Sequence, residues 1–321
     1  EMSEEKKSNL DRRQFMGTLG VVGAASAVGA LAACSKKEAE GGGTAAKRPK
    51  VKPQEFLDKA PDGEPLKAGL IGCGGRGTGA ARQFIHAGPN LEVVALADVF
   101  ADRVNGCRDN LNKNHGQKIT EDMCFVGFDA YKKCIDAGVD VILTATPPHF
   151  RPEHFAAAIG ARKHVFMEKP VAVDPVGARS IMATARKAQS IGLNVVTGTQ
   201  RHHQRDYVAT WTEIANGAIG DIVSANCYWN QSQLWYKTPK EDRTDMENMI
   251  RDWVNWCWLS GDHIVEQHVH NLDVINWFTG KHPVKAVGFG GRHRRVTGDQ
   301  FDFFSVDYVF DDKMHSHSMC R

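Results

Sequence analysis

Residues 66–88 read LKAGLIGCGGRGTGAARQFIHAG, and this stretch decides the fold. Leu66 to Ile71 is a short apolar strand pattern, and Gly72-x-Gly74-x-x-Gly77 then opens an Ala-rich helix. In that spacing the first glycine permits a tight turn and the second lets backbone N–H groups approach a pyrophosphate. The third lets helix and strand pack closely. The helix N-terminus adds partial positive charge where phosphates sit. Gly75 and Arg76 fill the turn and count as contacts of the same ligand.

A lone glycine pattern is weak evidence, but a second strand follows, LEVVALADVF at 91–100. It ends in Asp98, about twenty residues past the turn, where a carboxylate holds ribose hydroxyls. Asp98 would repel a 2′-phosphate, which favours NAD; Arg103 nearby keeps NADP open. Further strands read at 139–150, 163–174 and 193–200, with helices near 152–160 and up to about 190. Strands alternating with helices predict a doubly wound parallel sheet with ligands at the strand C-termini. The residues at those ends are Thr146, Pro147, His149, Glu168, Lys169, Gln200 and Arg201.

The front of the chain reads differently. Arg12-Arg13-Gln14-Phe15-Met16 matches a twin-arginine export motif, and a Gly/Ala-rich apolar run continues to Ala33. Such a run inserts weakly into a bilayer. Leu31-Ala32-Ala33-Cys34 resembles a lipobox, so the expected membrane contact is an N-terminal lipid anchor. The expected location is therefore periplasmic or membrane-anchored. Residues 35–65 are charged and rich in Gly and Pro, the composition of a flexible tether.

Among 321 residues, 40 Lys and Arg face 38 Asp and Glu, so no basic surplus points to nucleic acid. The eight cysteines show no CxxC pair or zinc spacing. His263, His268 and His270 raise a metal site, but on a helix 268 and 270 point to different faces, so none is expected.

The Gly72–Gly77 turn, Glu168-Lys169-Pro170 and the stretch GDHIVEQHVHNLDVINWFTG at 261–280 together resemble the Gfo/Idh/MocA oxidoreductase family. The resemblance covers about residues 66–310. It implies a Rossmann domain, here 66–195, followed by a substrate-binding α/β domain with an open, mainly antiparallel sheet, here 196–321. It implies further strands after 310. It implies a nicotinamide cofactor, a small carbohydrate substrate and a homo-oligomer. Lys169 then bridges substrate hydroxyl and nicotinamide ribose, and the Lys169–Pro170 bond is expected to be cis. The family's D-x-x-x-H-x-x-D helix aligns with Glu266, His270 and Asp273. Glu266 stands where Asp is usual, and His268 where Gly is common. Spaced four and three apart, 266, 270 and 273 would share one helical face. A carboxylate beside an imidazole would orient it as a base.

All seven tryptophans come at or after Trp211. CYWNQSQLWYK at 227–237 mixes aromatics with amides, which suits sugar rings with apolar faces and polar rims; core packing is the competing reading. Trp229, Trp235 and Tyr236 are the candidates for substrate contact, with Arg201, His202 and Asp273. The expected activity is hydride transfer between a sugar, glycoside or polyol carbinol and a tightly bound nicotinamide, with Lys169, His270 and Glu266 catalytic. A redox-neutral glycoside hydrolase or lyase and a non-catalytic sugar-binding lipoprotein are the alternatives.

Overall fold

The computed structural model describes residues 50–321 apart from 58, 61, 62 and 312. The export motif, the lipobox and the linker up to residue 49 lie outside the described residues. The described residues between 50 and 65 carry no helix and no strand. Asn216 clamps Val51 through both its amide atoms (2.8 and 3.1 Å), and the Ala60 N–H donates to the Ala87 carbonyl at 2.7 Å. An extended segment has idle backbone groups, and here the body supplies partners for them.

The chain then alternates as the sequence predicts. β1 (Leu66–Ile71), α1 (Gly75–His86), β2 (Leu91–Asp98), α2 (Ala101–His115), β3 (Cys124–Val126) and α3 (Ala130–Asp136) come first. β4 (Val141–Thr144), α4 (Arg151–Gly160), β5 (His164–Met167), α5 (Pro175–Ser190) and β6 (Val195–Thr197) complete the unit. The six strands run parallel in the order β3-β2-β1-β4-β5-β6. The order reverses between β1 and β4, the crevice where open α/β sheets bind ligands. Alternate side chains feed two cores. Leu70, Leu96 and Leu143 pack under α1 and α2, whereas Ile71, Ala97 and Ile142 pack under α3, α4 and α5.

After β6 come α6 (Arg205–Ala215), β7 (Ser224–Trp229), α7 (Asp245–Arg251), α8 (Cys257–Ser260), α9 (Asp262–Glu266) and α10 (Val269–Thr279). Three more strands follow: β8 (Lys285–Gly291), β9 (Phe303–Val309) and β10 (His315–Cys320). The second sheet has the order β7-β10-β9-β8; β7 pairs parallel with β10 and the other two pairings are antiparallel. Ile275 of α10 packs with Cys227, Phe310 and Met314 against this sheet.

One expectation fails here. Glu266, His270 and Asp273 do not share one helix face, because the helix is broken. Gly261 and Asp262 both hold positive φ (79° and 73°), which starts α9 abruptly. α9 then ends at Glu266, where the His268 N–H reaches back to the His263 carbonyl at 3.3 Å. His268 is drawn into the second sheet instead: its Nε2 pairs with Ser318 Oγ at 2.7 Å.

Candidate functional site

The glycine turn shows which glycines the fold itself needs. Gly72 has φ +96°, and a Cβ there would meet the Thr146 nitrogen at 2.7 Å. A Cβ on Gly77 would stand 1.8 Å from the Gly72 carbonyl oxygen. At Gly74 and Gly75 a Cβ would meet nothing within 4 Å. That open space lies over the start of α1, so a side chain there would fill room that a ligand's phosphates can use. Asp98 stands at the end of β2, with Oδ2 accepting from the Cys73 N–H (2.7 Å) and Oδ1 from the Phe100 N–H (3.0 Å). Burial pushes its carboxyl up from the ordinary value, opposed by those two bonds. A cavity of about 440 Å³ runs past Gly72, Gly74, Gly75, Arg76, Gly77 and Asp98 to Thr146 and Pro147. These residues fit a dinucleotide.

At the end of β5 the chain turns through a cis Lys169–Pro170 bond. Arg151 at the start of α4 is buried and donates through Nη1 to the carbonyls of Glu168 (2.8 Å) and Pro170. Glu168 accepts from Arg76 Nε at 2.7 Å, tying the glycine turn to the β5 end. Gly198 after β6 makes room for it: a Cβ there would press on Glu168 Oε2 at 2.5 Å. Arg151 and Gly198 carry no motif, and sequence reasoning missed both.

Lys169 leaves this turn and donates to the Glu266 carbonyl (2.7 Å) and to Glu266 Oε1 (3.0 Å). Both side chains are largely buried, 16% and 7% exposed. Glu266 also accepts from Gln267 Nε2. Its carboxylate therefore serves Lys169, and the expected Glu266–imidazole pairing is not made. His270, in the first turn of α10, stacks on Trp229, with ring centroids 5.7 Å apart. Burial, with Lys169 and Arg201 adding positive charge, pushes its imidazole down to about 4. It is neutral near pH 7.

Asp273 makes a different contact. Its Oδ2 pairs with His202 Nε2 at 2.8 Å, and His202 stacks on Trp277. Arg201 donates to Asn271 Oδ1 and lies over the Trp229 and Tyr207 rings. Trp229 thus joins Arg201 to His270. Two expected contacts fall elsewhere. His149 packs edge-on against Trp258 of α8 rather than lining the cavity, and Trp235 lines the dinucleotide cavity beside Trp253. Periodicity and spacing carry no signal for either placement. Tyr236 is 45% exposed. Among the described residues no three or more His, Cys, Asp or Glu side chains are grouped as metal ligands would be.

Residues 66–196 match the Gfo/Idh/MocA family model, described as an oxidoreductase family with an NAD-binding Rossmann fold. An inositol 2-dehydrogenase of Salmonella typhimurium is 25% identical over 215 residues, 66% of this chain and 54% of that protein. The chain thus spans about half the length of the curated relatives it matches. Among solved structures, myo-inositol 2-dehydrogenase from Lactobacillus plantarum superposes with a TM-score of 0.62 at 23% identity, covering 80% of this chain and 69% of that one. Scyllo-inositol dehydrogenase from Lactobacillus casei, with bound NAD(H) and scyllo-inositol, gives 0.61 at 20% identity, with 80% and 69% covered. At those identities the structures establish the fold.

Proposed function

We propose that the chain, whose residues 66–196 match the NAD-binding Rossmann model of the Gfo/Idh/MocA oxidoreductases, transfers hydride between NAD and a carbinol carbon of a sugar, glycoside or polyol. The observation that carries this is Lys169 at the β5 end, paired with Glu266 and close enough for its charge to act on buried His270. The nicotinamide, when bound, supplies the two-electron chemistry. Lys169 holds the reacting hydroxyl, with Glu266 fixing the ammonium in place. His270 takes the hydroxyl proton at an imidazole nitrogen, which its lowered pKa leaves free. Trp229 holds the ring plane, and Arg201 borders the substrate space. The relatives named as inositol 2-dehydrogenases support a polyhydroxylated substrate.

A second reading is redox-neutral cleavage of a glycoside at the same site. The His202–Asp273 pair favours it, being a second proton-transfer group that simple hydride transfer does not require. Export through the twin-arginine route, with lipid attachment at Cys34, belongs to this proposal too. So does self-association, which the mass of the full chain in solution tests. Full-length protein mixed with NAD and a panel of polyols, sugars and chromogenic glycosides tests the activity. Reduced nicotinamide absorbance supports the oxidoreductase. Aglycone release without net absorbance change supports the second reading. Neither product in the whole panel, with NAD bound, would remove both.

A further inference from the structure

The dinucleotide cavity has a wall that the glycine turn does not supply. Opposite Asp98 and Phe100 it is lined by Trp235, Lys237, Arg251 and Trp253, all from the segment between β7 and α8. This wall is built independently of any ligand. Buried Asp252 accepts from the Lys237 N–H (2.8 Å), Asn255 Nδ2 (2.9 Å) and Thr297 Oγ1 (2.6 Å). Asn255 Nδ2 also donates to the Trp235 carbonyl at 3.1 Å. Trp235 and Trp253 meet edge to face, with centroids 6.3 Å apart.

Arg251 fastens this wall to the Rossmann unit. Its two terminal nitrogens donate to the two carboxylate oxygens of Asp102 (2.8 and 3.1 Å), in the first turn of α2. Its Nε donates to Glu247 at 2.9 Å. Its guanidinium lies 3.8 Å from the Phe100 ring centroid, two residues past Asp98. A planar fork of this kind holds one geometry where a lysine would not. Charge adds a second observation. Arg103, Lys237 and Arg251 line the same cavity, and Lys237 is pushed down by burial and by Arg103, Arg251 and Arg243. Crowded like charges beside a ribose-binding strand end favour an anion between them.

We propose that the dinucleotide site has two halves, its adenosine end closed by the 235–253 wall, and that the Arg251–Asp102 pair is the clasp retaining bound nucleotide. This rests on the NAD-binding reading and deepens it. Asp102 does not line this cavity; it is a positioning residue acting through Arg251. A nucleotide leaving the adenosine end must part the wall from Phe100, and that parting breaks the fork. Retention suits a reaction in which one bound cofactor is recycled in place rather than exchanged.

The test uses full-length protein loaded with NAD, freed of excess by gel filtration, with released nucleotide quantified by mass over time. Asp102 is 60% exposed, so Asp102→Ala leaves the fold intact, as melting of the nucleotide-free protein verifies. The expected result is release about tenfold faster than wild type, about 1.4 kcal/mol of retention. Arg251→Met should match it, and the double variant should be no faster than either single one. Release at the wild-type rate in Asp102→Ala overturns the clasp while leaving NAD binding in place. A wild-type protein that takes up no NAD overturns the NAD reading itself.

Discussion

Replacing Lys169 by Met separates a structural ion pair from a catalytic one. The ammonium donates to both the carbonyl and the carboxylate of Glu266, and the pair is nearly closed to solvent. Removing it leaves a buried carboxylate with Gln267 as its remaining partner among the described bonds. Breaking one side of a buried pair costs about 3–5 kcal/mol, because the survivor keeps its desolvation penalty. For a chain this size that is a fall of roughly 6–15 °C in melting temperature. Adding Glu266→Gln removes the stranded charge, so the double variant should recover most of that loss. Turnover should stay abolished in both, since the hydroxyl has lost its cation. His270 reports on the same change. Lys169 is one of the charges that depress it, so its pKa should rise in Lys169→Met, read by NMR titration of the imidazole. Chemical denaturation, turnover and that titration are measured on the same samples. If the double variant is as unstable as the single one, or if it turns over substrate, the reasoning about this pair is refuted.

Three further outcomes follow from the geometry. His154, His263, His268 and His270 are all pushed down to about 4, chiefly by burial, from an unfolded value near 6.5. Their folded pKa lies below the unfolded one, so their contribution is complete above about pH 6.5 and is lost as pH falls toward 4. At on the order of 2 kcal/mol each the protein should unfold before pH 4, and denaturation midpoints unchanged between pH 7 and 5 would contradict this. Gly77→Ala should destabilise the nucleotide-free protein, because its Cβ meets the Gly72 oxygen, whereas Gly74→Ala should melt as wild type and lose NAD affinity alone. Calorimetry of both, with and without NAD, separates the two; equal melting would remove the distinction. Trp229→Ala removes the ring stacked on His270 and should lower kcat more than it raises KM, which steady-state kinetics on an active substrate would read.

The Rossmann unit was legible because its rules are local. Periodicity set the strands, and three glycines at fixed spacing set the turn. The carboxylate ending β2 followed from the same spacing. Glu168-Lys169-Pro170 was legible as a motif, but its supports were not. Arg151 reaches two carbonyls about twenty residues on, and Gly198 is needed only because Glu168 lies against it. The helix expected through Glu266, His270 and Asp273 had the right period and the wrong continuity. Nothing within that stretch reveals that the helix stops at Glu266 or that His268 pairs with Ser318 of the second sheet. That break sends Glu266 to Lys169, and the fold gives Asp273 to His202, which leaves His270 to its aromatic neighbour.

By itself, then, the sequence determined the glycine turn of the nucleotide site, since one strand, one turn and one helix suffice to build that turn. Tertiary structure decided the rest of that site. Trp235 became a wall of the dinucleotide cavity and Arg251 its link to Asp102 because residues 149 positions apart came together. Local propensity carries no information about such pairs; burial and charge select them only once both sheets are in place.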